Sequence, residues 1–147
     1  MLTELLTPAY ISLNLEVKSK KRALEELAQL LIQDASPLTK TDALTSLVNR
    51  ERLGCTSLGQ GIAIPHGRVV GLNKIRVAFV RLSQPVDYDA NDGEPVDLLF
   101  GILVPQECTQ EHLGILARIA ELATDEAFCV KLRAAGDADA VLSLLAA

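Results

Sequence analysis

Residues 95–104, PVDLLFGILV, form a strongly apolar run with the length of one β-strand. Apolar side chains stand at neighbouring positions instead of alternating with polar ones, which predicts a strand buried on both faces. A second β-rich run extends from Ile75 to Leu82, and turn-forming residues occupy 87–93 between the two. Tyr10–Val17 alternates apolar and polar residues and predicts a short strand or extended edge.

Helical spacing precedes and follows these strands. From Ser19 apolar residues recur at three- and four-residue steps, which predicts a helix ending by Ser36-Pro37. A second helix, capped by Thr39 or Thr41, follows to about residue 52, and three more are predicted after Pro105. The apolar residues assigned to their inward faces are Leu24, Leu27, Ala28, Leu31, Ile32, Leu44, Leu47, Val48, Leu113, Leu116, Ala117, Ala120, Leu122, Phe128, Leu132, Ala135, Val141, Leu142, Leu144 and Leu145.

Length and composition predict one α/β domain spanning residues 1–147. A chain of 147 residues is close to the commonest domain size and can bury a substantial core. Apolar residues make up 49% of it but aromatic residues only 3%, so Leu, Ile, Val and Ala must build that core. Alternating helices and strands suit this composition.

Charge and hydropathy argue against two kinds of partner. The net charge of −5 argues against binding to nucleic acid, which needs clustered Lys and Arg, and the basic run Lys18–Arg22 is interpreted as a solvated turn. No apolar stretch approaches the ~18 residues that span a bilayer, and the N-terminus lacks the order of a signal peptide. We therefore expect a cytoplasmic protein without membrane insertion. Cys55, Cys108 and Cys129 form no C-x-x-C pattern, so we expect reduced, structural thiols.

A glycine-rich segment, Gly54–Gly71, contains more than half of the nine glycines and also the sequence Ile62-Ala63-Ile64-Pro65-His66-Gly67. Ile62–Ile64 predicts a short buried strand, and the fixed backbone angle of Pro65 holds the next residue at its end. Gly67 is interpreted as clearing space for another molecule. We therefore expect His66 to project from a strand terminus with its imidazole accessible.

Phosphoryl transfer is a reaction that suits such a histidine. A neutral imidazole is nucleophilic near pH 7, and its phosphoramidate bond stays reactive enough to pass the group on. Catalysis then requires in-line positioning and neutralisation of the phosphoryl charge, for which Arg50 and Arg68 are the nearby candidates in sequence. Both arginines could equally be solvated residues of a helix end and a loop.

His112, the second of the two histidines, begins a predicted helix. It could lie beside His66 and donate a hydrogen bond to a phosphoryl oxygen, or it could be an ordinary first-turn residue. A zinc site that adds Cys108 or Glu111 to both histidines is conceivable, but no recognised ligand spacing such as H-E-x-x-H supports it. We therefore expect neither a metal nor another cofactor.

The chain resembles the fructose/mannitol-type enzyme IIA domains of bacterial phosphotransferase systems. The resemblance is carried by Arg50-Glu51-Arg52-Leu53-Gly54 and by Gly59–Arg68, GQGIAIPHGR. It continues through residues 95–100 and covers nearly the whole chain. The remaining matching segments are Leu103-Val104-Pro105, Glu111-His112-Leu113 and Leu132-Arg133-Ala134-Ala135.

This resemblance implies a fold and a set of roles. The fold is a mixed β-sheet flanked by helices on both faces, and an HPr-like phosphohistidine protein would phosphorylate His66 at Nε2. His112 would support the reaction and Arg50 would steady the phosphoryl group. Where the family usually has Gly-Ser-Thr-Gly, this chain has Gly54-Cys55-Thr56-Ser57 followed by Leu58. That departure predicts an altered loop shape or partner fit, with the transfer chemistry retained.

Within this family the free-standing chain looks like the nitrogen-regulatory branch, in which phosphorylation selects the partners that dock. The alternative is an enzyme IIA subunit of a fructose- or mannitol-type sugar transporter, which passes the phosphoryl group to an enzyme IIB. A ligand-binding α/β domain without covalent chemistry is a further alternative. It predicts no mass increase of about 80 daltons after treatment with a phosphorylated donor.

Overall fold

The computed structural model describes residues 2–33, 37–107 and 109–146. Within them the chain contains both helices and strands, as an α/β fold requires, but they do not alternate as expected, because five consecutive strands lie between the third and fourth helices. The predictions at Ser36 and Cys108 lie outside these residues. The helices are α1 (Leu2–Leu5), α2 (Lys20–Leu31), α3 (Lys40–Leu53), α4 (Gln110–Ala123), α5 (Glu126–Ala134) and α6 (Ala138–Ala146), and the strands are β1 (Ile11–Leu15), β2 (Ser57–Gly59), β3 (Ile62–Ala63), β4 (His66–Val69), β5 (Arg76–Val86) and β6 (Val96–Pro105).

The strands form one mixed sheet in which β6 is the central member. One edge of β6 pairs antiparallel with β5, and the other pairs in parallel with β3 and then with β4. β1 adds to β5 in parallel, and β2 adds to β3 antiparallel. The strand predicted over 95–104 is thus the one around which the sheet is built.

Both faces of this sheet are covered by helices, as the resemblance implies. Phe79 and Phe100 point to one face, where α1, α4, α5 and α6 pack, and their rings lie 4.7 Å apart. Val80 and Leu99 point to the other face, where α2 and α3 pack. Because successive residues of a strand point to opposite faces, β5 and β6 must be apolar at neighbouring positions to fill both cores.

The start of α3 follows the predicted capping chemistry. The side chain of Thr39 accepts a hydrogen bond from the Asp42 N–H (3.3 Å), and the Asp42 carboxylate accepts one from the Thr39 N–H (2.7 Å). This reciprocal pair satisfies two donors that a helix start leaves without partners. Thr39, and not Thr41, is therefore the cap residue.

The predicted inward faces of α3 and α4 are partly wrong. In α3 the buried residues are Ala43 and Leu47, whereas Leu44 and Val48 are half-buried. In α4 the buried residues are Ile115, Ile119 and Ala123. Leu113, assigned to the core from its spacing, is 46% exposed. Apolar residues occupy more of α4 than one face can bury, so their spacing alone does not identify the face that packs on the sheet.

The interpretation of Lys18–Arg22 as a solvated turn is also wrong in part. Ser19 caps α2, with its hydroxyl accepting a hydrogen bond from the Arg22 N–H (3.1 Å). Lys20 is half-buried and its ammonium lies 3.0 Å from a carboxylate oxygen of Glu51.

None of the helices in the described part of the chain has both the length and the apolar character needed to cross a membrane.

Candidate functional site

His66 is the first residue of β4, directly after an interruption in the sheet. β3 pairs Ile62 with Leu98, and β4 pairs His66 with Ile102, so the two short strands keep one register along β6. Pro65 lies between them and has no N–H to donate to the ladder, although its carbonyl accepts a hydrogen bond from the Ile102 N–H (3.0 Å). His66 therefore stands at a strand terminus, but at the beginning of β4 and not at the end of the strand predicted over Ile62–Ile64.

The protonation of the His66 ring follows from its backbone contact. Nδ1 lies 2.8 Å from the carbonyl oxygen of Ile64. A carbonyl can only accept, so Nδ1 carries the hydrogen and donates it. In the neutral ring Nε2 then keeps its lone pair, which is the pair a nucleophile uses. The ring is half-buried, so its position is held while one side stays accessible.

A cleft of about 460 Å³ lies in front of this histidine. It is lined by the four residues that the sequence indicated as candidates, His66, Arg50, Arg68 and His112. They come from β4, the end of α3 and the start of α4. We use the name His66 cleft for the group Ser46, Asn49, Arg50, Leu53, His66, Gly67, Arg68, Ile102, Val104, His112, Leu113 and Leu116.

His112 belongs to the capping structure of α4. Its Nδ1 accepts a hydrogen bond from the Thr109 N–H (3.2 Å), and the Thr109 hydroxyl accepts one from the His112 N–H (3.4 Å). Because Nδ1 is the acceptor, the hydrogen of the neutral ring lies on Nε2. His112 is thus a first-turn residue whose ring also lines the His66 cleft, and its bond to a phosphoryl oxygen stays a prediction.

The two arginines are held differently. The Arg50 guanidinium donates to the carbonyl of Gly54 (2.8 Å), which fixes it beside the loop that follows α3. The Arg68 side chain is exposed, but its backbone carbonyl accepts a hydrogen bond from the Ser46 hydroxyl (2.9 Å). Both cations line the His66 cleft, where they could contact an anion bound at His66.

Glu51 is the centre of a hydrogen-bonded cluster that the sequence did not predict. Its carboxylate accepts hydrogen bonds from the Thr56 N–H (3.2 Å), from the Thr56 hydroxyl and from the Tyr88 hydroxyl (3.0 Å), and it pairs with Lys20. Burial, followed by the charge of Glu51, raises the pKa of Tyr88, which keeps its hydroxyl a donor. The Lys20 ammonium also lies 4.3 Å from the centre of the Tyr88 ring.

One sequence signal could have indicated this arrangement. A carboxylate in the last turn of a helix opposes the partial negative charge of the helix end, so it is unfavourable unless it is paired. Glu51 occupies such a place in α3. Its partner Tyr88 lies 37 residues away in the chain, which no local pattern identifies.

Two glycines of the segment Gly54–Gly71 form part of the turn between β2 and β3. Gly59, Gln60 and Gly61 have φ values of +88°, +56° and +84°, a region that favours glycine. The Gln60 N–H donates to Asp92 (2.9 Å), and this bond is the main cause that lowers the pKa of the Asp92 carboxyl group. Arg133 donates to the Gln60 carbonyl (2.8 Å) and, through Nε, to both carboxylate oxygens of Asp97.

The interpretation of Gly67 as space for another molecule is wrong. A Cβ atom at this position would lie 2.0 Å from the Ser46 hydroxyl and 3.0 Å from the Ser46 carbonyl carbon. Gly67 is buried, and it allows α3 to pack directly on β4. The glycine therefore determines how closely the helix that carries Arg50 approaches the strand that carries His66.

A zinc centre at the two histidines finds no support within the described ranges. Residues 2–33, 37–107 and 109–146 contain no group of three or more His, Cys, Asp or Glu side chains arranged to hold a metal ion. Cys108, one of the conceivable ligands, lies outside those ranges. Cys55 and Cys129 are free thiols.

Comparisons with known proteins agree with this geometry. The family described as phosphoenolpyruvate-dependent sugar phosphotransferase system, EIIA 2, matches residues 4–147. A nitrogen regulatory protein of Bradyrhizobium diazoefficiens is 45% identical, over 99% of this chain and 94% of that protein. The crystal structure of the nitrogen regulatory protein IIA-Ntr from Neisseria meningitidis has a TM-score of 0.93 at 41% identity, with 98% of each chain covered.

Mannitol IIA from Escherichia coli has the same fold. Its crystal structure gives a TM-score of 0.78 at 23% identity and covers 95% of this chain and 97% of that one. The fold expected from the sequence, a mixed sheet with helices on both faces, is therefore confirmed both by the arrangement of β6 and by these neighbours.

We predict that Gly67→Ala weakens both the packing of α3 and the site. The added methyl group collides with Ser46, and overpacking of this kind costs about 2 kcal/mol in the free energy of unfolding, measured by urea denaturation. Gly114→Ala is the matched control, because nothing lies within 4 Å of its added Cβ and alanine favours a helix interior by about 0.5 kcal/mol or more. Equal stability of the two variants would contradict the close contact.

Proposed function

The chain belongs to the EIIA 2 family of the phosphoenolpyruvate-dependent sugar phosphotransferase system, and from this we propose that His66 accepts a phosphoryl group from an HPr-like phosphohistidine protein. The nitrogen regulatory relatives support a phosphocarrier with a regulatory role. The single observation behind the choice of His66 is the bond from Nδ1 to Ile64, which leaves Nε2 as the nucleophilic nitrogen in a cleft with two arginines.

The transfer exchanges one nitrogen–phosphorus bond for another. The lone pair of His66 Nε2 forms a bond to phosphorus, while the donor's bond breaks and returns its electron pair to the donor imidazole. The Nδ1 hydrogen of His66 stays on its ring, held by Ile64. No proton has to leave His66 during the step, because the attacking nitrogen carries none. Positioning and charge neutralisation are therefore what the protein must supply.

Neutralising the phosphoryl charge is a task that suits Arg50, Arg68 and His112. The transferring group carries negative charge on its three equatorial oxygens, and cations aimed at them stabilise the transition state. Arg50 is fixed by Gly54, so little ordering is needed when the phosphoryl group arrives. His112 adds an Nε2–H donor, because its Nδ1 is occupied by the start of α4. We assign Arg50 to stabilising the phosphoryl group and His112 to supporting it.

We predict that treatment with a phosphorylated HPr-like donor adds about 80 daltons to the wild type, as one phosphoryl group requires. His66→Ala should gain no mass, whereas His112→Ala should still gain it at a lower rate. Intact-mass spectrometry at neutral pH, followed by acid treatment that removes the label, measures both. Label that persists in His66→Ala would refute the assignment.

The His66 cleft has an apolar rim suited to a protein donor. Leu53 is 85% exposed at the end of α3, and Leu113 lies across the cleft on α4. Large apolar side chains exposed beside polar groups are typical of protein–protein contact surfaces. Leu113, which its spacing wrongly assigned to the core, therefore has a use in docking.

We predict that Leu53→Glu raises the KM for the phosphorylated donor about tenfold, which corresponds to about 1.4 kcal/mol of docking free energy, and leaves kcat near the wild-type value. Val130→Glu is the matched control. Val130 is 59% exposed on α5 and does not line the cleft, so its replacement should leave both constants unchanged. Steady-state transfer assays measure them, and equal KM values for the two variants would count against docking at the rim.

Phosphorylation would also act as a switch for regulated partners. It adds a group with nearly two negative charges to a cleft that otherwise presents Arg50 and Arg68, so it largely cancels the positive charge that a partner meets. The finer assignment, nitrogen- or potassium-related control through particular target proteins, is part of this proposal. The sugar-transport alternative is less supported, since the relatives at 41–45% identity are nitrogen regulatory proteins.

We predict that phosphorylated and unphosphorylated wild type recover different protein sets from a lysate of a bacterium that encodes a nitrogen regulatory relative. His66→Ala, treated with the same donor, should recover the unphosphorylated set, because it cannot acquire the charge. Quantitative mass spectrometry of the captured proteins makes the comparison. Identical sets from all three samples would contradict the switch.

Two further assignments complete the proposal. We propose that residues 1–147 act as one EIIA type-2 domain, since the family match extends over residues 4–147. We also propose that it works in the cytoplasm, where reduced thiols such as Cys55 and Cys129 are the rule.

A further inference from the structure

A chain of three hydrogen bonds joins the carboxylate of Glu51 to the imidazole of His66. The Thr56 N–H donates to Glu51 (3.2 Å), and the Ile64 N–H donates to the Thr56 carbonyl (3.1 Å). The Ile64 carbonyl then accepts the Nδ1 hydrogen of His66 (2.8 Å). Every donor in the series points toward the carboxylate, so the bonds are aligned from the ring to the negative charge.

The carboxylate at the end of this chain is rigidly held. Its side chain is only 6% exposed, and its second oxygen accepts hydrogen bonds from Tyr88 and from the Thr56 hydroxyl. Lys20 pairs with the oxygen that also accepts the Thr56 N–H. A buried charge with this many partners cannot move without breaking several bonds at once, so residue 56 is fixed in space.

Fixing Thr56 has a direct effect on His66. The Ile64 carbonyl belongs to the peptide bond before Pro65, and the bond from the Ile64 N–H to Thr56 holds the Cα atom to which that carbonyl is attached. If that carbonyl turned away, the ring would lose the partner that keeps the hydrogen on Nδ1. The other tautomer would then place a hydrogen on Nε2, the atom that must attack phosphorus.

We propose that Glu51 is a positioning residue for His66, acting through Thr56 and Ile64 to keep the Nε2 lone pair free. The effect of Glu51 on phosphoryl transfer rests on the proposed function, whereas its effect on the tautomer of the His66 ring does not. The same carboxylate anchors the end of α3, where the neighbouring Arg50 holds the Gly54 carbonyl. One buried charge thus orients the nucleophile and steadies the cation assigned to the phosphoryl group.

Glu51→Gln tests this inference because it keeps the shape of the side chain and removes its charge. In the unphosphorylated protein, the nitrogen chemical shifts of the His66 ring should show a smaller share of the Nδ1–H tautomer than in wild type. In transfer assays, kcat should fall about tenfold, the low end of the loss seen when a partner that orients a metal-bound histidine is removed. The KM for the donor should stay within about twofold, because the apolar rim is untouched.

Arg81→Met controls for a general loss of stability. Arg81 is buried in β5 and donates to the carbonyls of Leu132 (3.0 Å) and Ala135 (2.6 Å) at the end of α5, outside the bond chain. This variant should be destabilised in urea and still show the wild-type His66 tautomer. An equal tautomer shift in Arg81→Met, or the wild-type tautomer in Glu51→Gln, would overturn the proposal.

Tyr88→Phe keeps the test decisive if Glu51→Gln does not fold. It removes one hydrogen bond to the carboxylate and leaves the charge, so it should shift the tautomer in the same direction by a smaller amount. A wild-type tautomer in Tyr88→Phe would overturn the proposal. If wild-type His66 accepts no phosphoryl group, the proposed function fails, but the ring measurements still decide whether Glu51 orients the imidazole.

Discussion

Both edges of β6 pair with other strands and both of its faces are covered by helices, and the site depends on that constraint. One edge is occupied by β5, and the other is shared by β3 and β4, which follow each other in one register. The gap between these two short strands is where the chain can present a side chain without leaving the sheet. His66 is the first residue after this gap, and the helices on each face bring Arg50 and His112 to the same cleft.

Backbone groups orient both histidines, and they do so in opposite senses. His66 donates from Nδ1 to a carbonyl, whereas His112 accepts at Nδ1 from a backbone N–H. Nε2 is consequently a lone pair in one ring and a donor in the other. A phosphoryl group between them would meet a nucleophile on one side and a hydrogen-bond donor on the other, which matches the division of roles that the family resemblance implies.

Much of this could be predicted from the sequence, where the signals are local. The apolar run at 95–104, the cap at Thr39 and the strand end at His66 each follow from a few adjacent residues. The packing face of α4 could not be predicted, because the exposed Leu113 is as apolar as the buried Ile115. The partners of Glu51 were also missed, since they lie on distant parts of the chain. The roles assigned to His66, His112 and Arg50 stay predictions.

The contact between Gly67 and Ser46 also limits how this protein can evolve. Replacing Ser46 by alanine would not make room at position 67, because the Cβ and the carbonyl carbon of residue 46 would each still lie 3.0 Å from a new methyl group. The remaining contacts are tight, and α3 would still have to move by a few tenths of an ångström to accept the methyl group. A side chain at position 67 therefore requires movement of α3, whereas the exposed Leu53 on the same helix can be exchanged without disturbing that packing.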